Sequence, residues 1–569
     1  MLENSWYKKE NPFIGLTGMG GGVGSNLVGG GDLSWFRANI RGDNAGSSTY
    51  FDYVDPPHIH TAYDSDHIYF VYTIQAKYNG SNSSFTHRGE IWKVKKKDGT
   101  TVWHKSYENV DGHYEIFEIY GCDISPNGSY LVISGIFSKE GVGYGNYDDF
   151  RYGFVELKTS DGTIRTTSEG ALYAGGVQDD NTNNGLTRYG GILYAPNSNT
   201  DFLLPGIYSS PAYGGFARVD KGASAYTTEY HVDTYESEIY DSWPGGNNHV
   251  RSLKHDPDNS DLMWLHQQDI YNSDYYNYFL LYDVTGSTPS YVCGIRLRAA
   301  AFDGRALFTT KYHASNNIDL YIYVAVGSNS RLTKFTWNGS SWSAAWQNTV
   351  TVSNGGYGAR CPLVLTWDDD NNRLVVMECD PPRSYTIRQI NPSTGANITT
   401  RRIAIDGGTS TRTDWDLDTT NTNGDKLANI TVYNNPCNRA IDGYFYASLS
   451  GIDNNPLNFD YLGHLAFKLP TDISKLPSSV TSYGVSTGSG PNDSIAMSIG
   501  ISDDDPNASY STSSIDGTYD TIASHTPTLY GATSGPNNYY NWNESTYDEW
   551  LTASTAQWPS DTQLDLQIS

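Results

Sequence analysis

Two histidines, His58 and His60, are separated by one residue in a segment whose pattern predicts a β-strand. Because alternate residues of a strand project from the same face, the two imidazoles would lie side by side like a pair of metal ligands. No third ligand stands at a spacing typical of zinc sites, and the sequence has no His-Glu-x-x-His motif. We therefore favour a structural role for this pair, and the sequence assigns no metal ligand.

A Gly-x-Ser-x-Gly motif places Ser486 between Gly484 and Gly488. In hydrolases with this motif the serine lies on a tight turn between a buried strand and a helix. Here the motif runs into Gly-Ser-Gly-Pro-Asn-Asp, which is not a helix pattern. Carboxylates are too numerous in the chain to single out a glycosidase pair. The sequence therefore predicts no catalytic residue and a non-enzymatic protein, with glycan cleavage as an open alternative.

Two acidic runs, residues 368–372 (Asp-Asp-Asp-Asn-Asn) and 503–505 (Asp-Asp-Asp), contain the oxygen ligands that Ca²⁺ prefers. The first run lies between two apolar strand patterns, and the second precedes Pro506 in a polar loop. Asp and Asn are also the residues that tight turns favour. We expect turns at both places and no cofactor, and a structural Ca²⁺ ion is the alternative.

The chain of 569 residues has a formal net charge of −26, so nucleic-acid backbones and anionic lipid surfaces would be repelled. The nearest basic run, residues 93–97 (Lys-Val-Lys-Lys-Lys), leads into a turn and is interpreted as a solvated strand edge. The start of the chain lacks the apolar core of a signal peptide, and no stretch approaches 18 apolar residues. Five widely spaced cysteines form no Cys-x-x-Cys pair and are expected to be reduced. We expect no nucleic-acid binding, no membrane insertion and synthesis in a cytoplasm.

A hairpin recurs along the chain at nearly constant spacing. Turn glycines lie at positions 99, 162, 222, 286, 339 and 395, so successive turns are 53 to 64 residues apart. A more apolar hairpin precedes each of them, which gives four strands per unit. Seven such units in residues 46–476 predict an all-β fold, a seven-bladed β-propeller of four-stranded blades, because radial stacking leaves few exposed sheet edges. Residues 48–54 (Ser-Thr-Tyr-Phe-Asp-Tyr-Val) are the candidate strand that closes the ring.

Both ends of the chain depart from the repeat and are predicted to be irregular extensions. Residues 1–45 include an uncharged Gly-rich stretch, which predicts an attachment segment that follows the surface of a partner. Residues 477–569 contain no Lys or Arg, are rich in Ser and Thr, and carry a cluster of aromatic residues. That cluster comprises Tyr539, Tyr540, Trp542, Tyr547, Trp550 and Trp558. We expect this tail to pack on the ring or on a neighbouring subunit, and we expect the ring to fold without either end.

The motif Asn11-Pro12-Phe13, followed by three glycines at 20–22, resembles the N-terminal part of tailed-bacteriophage virion proteins, particularly those of marine phages. Residues 461–470 (Tyr-Leu-Gly-His-Leu-Ala-Phe-Lys-Leu-Pro), placed before a Ser/Thr-rich tail, are similar to the end of the propeller in such proteins. The resemblance implies a structural protein of the tail, fibre or head surface, exposed for assembly or host contact.

The same resemblance implies a virion location after synthesis in the host cytoplasm. It also implies partners among the other virion proteins, bound through residues 1–45 and 477–569, and contact with a host-surface glycan. It brings no catalytic residue. Two alternatives stay open: a glycan-binding or glycan-cleaving propeller, because Tyr and Trp faces beside Asn and Asp suit sugars, and a cellular adhesion or scaffold propeller.

Overall fold

Strands make up almost all of the structure, which is a computed structural model. It describes residues 34–42, 60–77, 85–108, 114–139, 151–163, 165, 173–178, 191–205, 215–221, 226–234, 249–271, 274–298, 306–313, 317–326, 329–352, 362–380, 384–406, 439–455, 459–476, 479–483, 496–502, 508–515, 517–525, 528–530, 552–555 and 562–567. Within these ranges the only helix is a 3-10 turn at Ile473–Lys475, and none could cross a membrane. The prediction of an all-β fold is confirmed.

After β1 (Trp35–Gly42), the chain forms six blades, each an antiparallel sheet of four consecutive strands. Blade 1 comprises β2 (His60–Tyr63), β3 (His67–Lys77), β4 (Phe85–Lys95) and β5 (Thr101–Glu108). Blade 2 comprises β6 (Tyr114–Ile124), β7 (Tyr130–Lys139), β8 (Arg151–Lys158) and β9 (Tyr173–Gln178). Blade 3 comprises β10 (Leu193–Tyr194), β11 (Asp201–Pro205), β12 (Gly215–Lys221) and β13 (Tyr226–Asp233).

The second half of the ring repeats this arrangement. Blade 4 comprises β14 (His249–Asp256), β15 (Asn259–Tyr271), β16 (Asp274–Asp283) and β17 (Ser290–Arg298). Blade 5 comprises β18 (Ala306–Tyr312), β19 (Ile318–Val326), β20 (Asn329–Trp337) and β21 (Trp342–Val352). Blade 6 comprises β22 (Pro362–Asp368), β23 (Arg373–Asp380), β24 (Ser384–Ile390) and β25 (Asn397–Asp406).

Two further strands, β26 (Tyr444–Asn455) and β27 (Phe459–Pro470), are followed by seven short strands of the C-terminal tail. The tail strands are β28 (Ser479–Tyr483), β29 (Ala496–Ser502), β30 (Ala508–Ser513), β31 (Thr518–Ile522), β32 (Thr528–Tyr530), β33 (Thr552–Thr555) and β34 (Thr562–Gln567). Strands β26 and β27 form a closing sheet with β1 and β34, in the order β26-β27-β1-β34. The sequence predicted irregular extensions at both ends, and this was wrong for β1 and for the tail strands, because these segments pair with sheet edges that lie far away in the sequence.

The predicted count of seven four-stranded blades was wrong, because the structure has six. Among the described residues, the seventh unit supplies β26 and β27 to its sheet, and strands from the two distant ends of the chain complete it. A closing strand from the N-terminal side was expected at residues 48–54, which lie outside the described residues. The strand that pairs with β27 is β1, in a register that sets Trp35 opposite Lys468.

Neighbouring sheets pack face to face around a closed circle, which defines a β-propeller. Ring pairs cross four of the interfaces: Phe154–Phe202 between blades 2 and 3, Phe216–Tyr282 between 3 and 4, Phe279–Phe308 between 4 and 5, and Tyr321–Trp367 between 5 and 6. A continuous apolar cluster joins blades 1 and 2. The closing sheet joins blade 1 through the Trp35 indole N–H, which donates to the Lys96 carbonyl at 3.1 Å. The 3-10 turn that follows the closing sheet joins blade 6, where Arg401 donates to the Ile473 carbonyl at 3.2 Å.

Turn glycines lie where the repeat placed them, between the third and fourth strands of a blade. Gly99, Gly162, Gly339 and Gly395 have positive φ, whereas Gly286 occupies the same kind of turn without it. Gly222 lies outside the described residues. At Gly395 a second constraint applies, since a Cβ atom there would stand 2.5 Å from the Trp346 ring of blade 5.

The same polar contact joins blade 1 to blade 2 and blade 5 to blade 6, and we name it the Lys–Trp clamp. In blade 1 the cross-strand neighbours Lys93 and Trp103 both donate to the carbonyl of Thr159, at 2.8 and 3.0 Å. In blade 5 the neighbours Lys334 and Trp346 both donate to the carbonyl of Pro392, at 3.4 and 3.0 Å. Each accepting carbonyl lies by the turn between the third and fourth strands of the next blade.

The clamp corrects the interpretation of residues 93–97 as a solvated strand edge. Lys95 and Lys97 are exposed, but Lys93 is buried. Its ammonium group lies 5.0 Å from the centre of the Tyr69 ring, as that of Lys334 lies 5.5 Å from the Tyr321 ring. A carbonyl and an aromatic face replace water around the buried Lys93 ammonium group, whereas the half-buried ammonium group of Lys334 also forms an ion pair with Asp319 at 2.8 Å.

The two tryptophans of β21 give a direct measure of the clamp. Trp346→Phe removes the hydrogen bond to Pro392, whereas the buried indole N–H of Trp342 has no hydrogen-bond partner among the described residues. Both substitutions remove similar ring area. We expect Trp346→Phe to lower the free energy of unfolding by about 1 kcal/mol more than Trp342→Phe does. Urea unfolding of the two variants measures the difference, and equal losses would show that the clamp does not stabilise the ring.

Candidate functional site

A cavity of about 690 Å³ opens where the first strands of four blades converge. It is lined by residues 60–65 of blade 1, 122–128 of blade 2, 192–193 of blade 3, 253–255 and Pro257 of blade 4, and by Lys96 and Arg439. First strands of four different blades can line one space only near the axis of the ring. The cavity is therefore the central site that the propeller builds.

Three carboxylates near the axis have the same structural task, which is to close the turn after the first strand of a blade. Asp64 accepts hydrogen bonds from the backbone N–H groups of Asp66 and His67, both at 2.8 Å. Asp256 does the same in blade 4, and Asp368 in blade 6 accepts from the backbone of Asn371 at 3.3 Å. In blade 2 the equivalent position is Ser125, whose hydroxyl accepts from the backbone of Tyr130.

Asp123 does not close a turn, and this separates it from the other acids. It belongs to β6 and stands two residues before Ser125. Its carboxylate accepts hydrogen bonds from the backbone N–H groups of Tyr194, at 2.8 Å, and of Ile124, at 2.9 Å. The His255 imidazole lies 3.9 Å away and donates through Nε2 to the Tyr194 carbonyl at 2.9 Å. Blades 2, 3 and 4 thus meet at one carboxylate and one imidazole.

Electrostatics set the two cavity acids apart. Burial raises the pKa of Asp123 above its usual value, against the opposing effect of His255 and the backbone donors. Burial acts in the same direction on Asp64, but hydrogen bonds from the Tyr69 hydroxyl and from two backbone amides outweigh it and lower the pKa of Asp64. The His255 Nδ1 atom, which carries a lone pair when Nε2 bears the proton, has no partner among the described residues. The His255 Nδ1 atom is itself buried, so the carboxylates of Asp64 and Asp123 are the groups that can accept hydrogen bonds from the hydroxyls of a polar ligand.

An ion-pair network borders the cavity at Arg439. The Lys311 ammonium group lies 2.6 Å from an Asp369 oxygen and 3.5 Å from an Asp258 oxygen. The Arg439 guanidinium contacts both of these carboxylates. Because Asp258, Lys311 and Asp369 belong to blades 4, 5 and 6, the network ties three blades to the segment that precedes the closing sheet.

Residues 368–372, which the sequence offered as a turn or a Ca²⁺ site, form the turn between β22 and β23. The carboxylate of Asp368 accepts from the Thr471 hydroxyl and from the Asn371 amide, and Asp369 joins the ion-pair network. Protein donors therefore contact both acids. Residues 503–505 lie outside the described residues.

The other sequence-level candidates are not brought together. His60 is buried and donates through Nε2 to the Ile119 carbonyl of blade 2 at 3.0 Å, while its predicted partner His58 lies outside the described residues. In the described ranges, His, Cys, Asp and Glu side chains do not form a cluster of three that could hold a metal ion. Ser486 and the aromatic cluster of the tail also lie outside those ranges. Cys122 and Cys293 are free thiols.

No protein-family model and no curated protein matches the sequence. Among solved structures, the chain is similar to the sialidase of Trypanosoma rangeli in complex with 2-keto-3-deoxy-D-glycero-D-galacto-2,3-difluoro-nononic acid. The two share 9% sequence identity over 90% of each chain, with a TM-score of 0.23. A likeness of this size carries no argument about activity. The strand pairing itself defines the class to which the chain belongs, the β-propellers.

Lys254 lines the cavity, and its buried amine is expected to make the free energy of unfolding depend on pH. Its side chain is buried with the ammonium group 4.7 Å from the centre of the Phe308 ring, and burial lowers its pKa from 10.5 to about 7. Between these values the unfolded chain holds a proton that the folded chain has released, so stability rises with pH. We expect the free energy of unfolding to gain about 1 kcal/mol per pH unit from this residue between pH 7 and 9.

Urea unfolding at pH 7, 8 and 9 checks the expectation. The variant Lys254→Met should lose that slope, and Lys475→Met, which alters an exposed lysine, serves as the control. An unchanged slope in Lys254→Met would show that the buried amine keeps its proton throughout this range.

Proposed function

We propose that the chain is a structural component of a phage virion, a tail, fibre or head-surface protein that presents the propeller for assembly or host contact. The observation that supports this most directly is how the named carboxylates near the axis, Asp123 excepted, are used. Asp64, Asp256 and Asp368 close turns, and Asp258 and Asp369 hold blades together through ion pairs. Acids committed to holding the ring together favour a structural role over hydrolysis.

The virion resemblance of the N-terminal motif and of residues 461–470 supplies the setting. Residues 461–468 belong to β27 and pair with β1, so that part of the resemblance falls on the closing sheet. The partners in this proposal are other virion proteins, and the contact segments lie within residues 1–45 and 477–569, apart from the strands β1 and β28 to β34 that pair within the ring. The acidic surface suits a protein that must not bind the packaged nucleic acid.

Mass spectrometry of virus particles purified on a density gradient tests the proposal. We expect peptides of this chain in the particle fraction, at a ratio to the major capsid protein that stays constant through a second purification. Genes for virion assembly should flank its reading frame. Recovery of the chain only outside particles, beside unrelated genes, would contradict a virion role.

A glycan-binding function is the second candidate, and the central cavity supports it. Tyr63 lines the same cavity as Asp123 and His255 and has 47% of its surface exposed, with the Lys96 ammonium group 5.0 Å from the centre of its ring. An exposed aromatic face next to hydrogen-bonding groups is the arrangement that a sugar ring requires. Host contact through a surface glycan would make this candidate compatible with the first.

Glycan-array binding distinguishes the cavity from the rest of the surface. We expect any glycan that binds the protein to lose about tenfold or more in affinity with Tyr63→Ala or Asp123→Ala, because each removes a direct contact. Ile398→Ala alters a residue of similar exposure on blade 6 and should have no effect. Equal binding by all three variants would exclude the cavity as the site. Release of free sugar by the protein, absent in Asp123→Ala, would instead indicate glycan cleavage.

A further inference from the structure

The C-terminal tail returns around the ring and visits the blades in reverse order. Strands β29, β30, β31, β32 and β33 pair in turn with the fourth strands of blades 6, 5, 4, 3 and 1, and β34 pairs with β1 in the closing sheet. Every one of these pairings is antiparallel and adds a strand to the sheet at the edge farthest from the first strand. We call the tail strands from β28 to β34 the belt.

Side chains of the belt cross from one blade to the next. β31 pairs with blade 4, yet its Tyr519 ring lies 5.2 Å from the ring of Phe335 in blade 5. The Tyr519 hydroxyl also accepts a hydrogen bond from the Ala344 backbone of blade 5 at 3.1 Å. Thr521 accepts one from the Trp342 backbone at 3.0 Å. The belt therefore belongs to the interface between blades 4 and 5 and does not simply cover an edge.

The belt is also attached to the blade on which it lies. Asp520 forms an ion pair with Arg296 of β17 at 2.8 Å, and the Tyr291 hydroxyl donates to the carbonyl of Ile522 at 2.6 Å. In blade 5, Tyr510 of β30 lies 5.2 Å below the guanidinium of Arg388, which belongs to blade 6. Attachment to one blade combined with contact to its neighbour means that the belt ties the two blades together.

We propose that the belt is a kinetic latch: it seats on the closed ring after the blades have formed, and it must detach before the ring can open. Contacts made after the folding transition state slow unfolding without changing the folding rate. The latch predicts that the belt acts on the lifetime of the folded ring, while the blades determine how fast the ring forms. This inference is independent of a virion role.

A reversible cross-link in the full-length chain tests the latch. Arg296 and Asp520 are directly opposed in the antiparallel register, so their Cα atoms lie within the range that a disulfide bridges. In the double variant Arg296→Cys/Asp520→Cys, oxidation ties the belt to blade 4. We expect the oxidised protein to unfold about a hundredfold more slowly in denaturant than the same protein after reduction, with an unchanged folding rate.

The matched control is Asp283→Cys/Ser290→Cys, which are opposed in the hairpin of blade 4 and close only a local loop. Its oxidation should change the unfolding rate far less. If oxidation of the Arg296–Asp520 pair leaves the unfolding rate as it was, or slows it no more than the control does, the ring opens with the belt attached and the proposal is wrong.

A variant without new cysteines tests the latch independently if the cross-link fails to form. Tyr519→Phe/Asp520→Asn removes one of the belt's two hydrogen bonds to blade 5, the one made by Tyr519, and its ion pair to blade 4. We expect unfolding to become several-fold faster at an unchanged folding rate, while Ser514→Ala, an exposed belt residue, changes neither. Slower folding with unchanged unfolding would mean that the belt forms early, and this would overturn the latch.

Discussion

The position of β1 between β27 and β34 is the pairing on which the rest of the structure depends. On one side Trp35 stands opposite Lys468, and on the other it stands opposite Gln567, so three distant parts of the chain meet across one strand. Without β1, both neighbours would present unpaired backbone edges. The contact of the closing sheet with blade 1 through the Trp35 indole would also be lost. The closing sheet, in which β1 is the only strand that joins β27 to β34, therefore depends on this one strand.

Polar contacts between the blades determine the angle at which one blade packs on the next, as well as the stability of the ring. Apolar side chains fill the interfaces, but hydrophobic packing alone tolerates small rotations of one sheet on another. The Lys–Trp clamp aims two donors at one carbonyl of the next blade, and the ion pairs of Lys311 and Arg439 join three blades at the cavity. Asp123 and His255 stand 3.9 Å apart on blades 2 and 4, so their separation depends on the angles between blades.

Local features of the fold could be predicted from the sequence, whereas features that depend on distant pairing could not. Asp-Gly and Asn-Gly pairs indicate hairpin turns because a positive φ is a local requirement, and Gly99, Gly162 and Gly339 lie in such turns. The closing sheet leaves no such signal, since its pairing joins strands more than 400 residues apart. The predicted number of blades was wrong because the closing sheet is not built from four consecutive strands.

The site was missed for a related reason. Asp64 and Asp123 look alike in the sequence, as acids near the turn of an apolar hairpin, and only the register of the turn shows that one closes it and the other does not. Lys93 was interpreted as solvated because the sequence shows its charge but does not show its hydrogen-bond acceptor. That acceptor, the Thr159 carbonyl, lies 66 residues away. A comparison of the turn-closing position across the blades, Asp64, Ser125, Asp256 and Asp368, would have marked Asp123 as different.

The composite closing sheet also has a consequence for synthesis on the ribosome. Strand β1 emerges first but cannot find its partner until β27 has been made, more than 400 residues later. At a synthesis rate of about 5–20 residues per second, this strand stays unpaired for roughly 20–80 seconds. During that time six blades are produced in order with no fixed first neighbour for blade 1. Closure of the ring is therefore a late event in the life of the nascent chain, whatever the speed at which each blade folds.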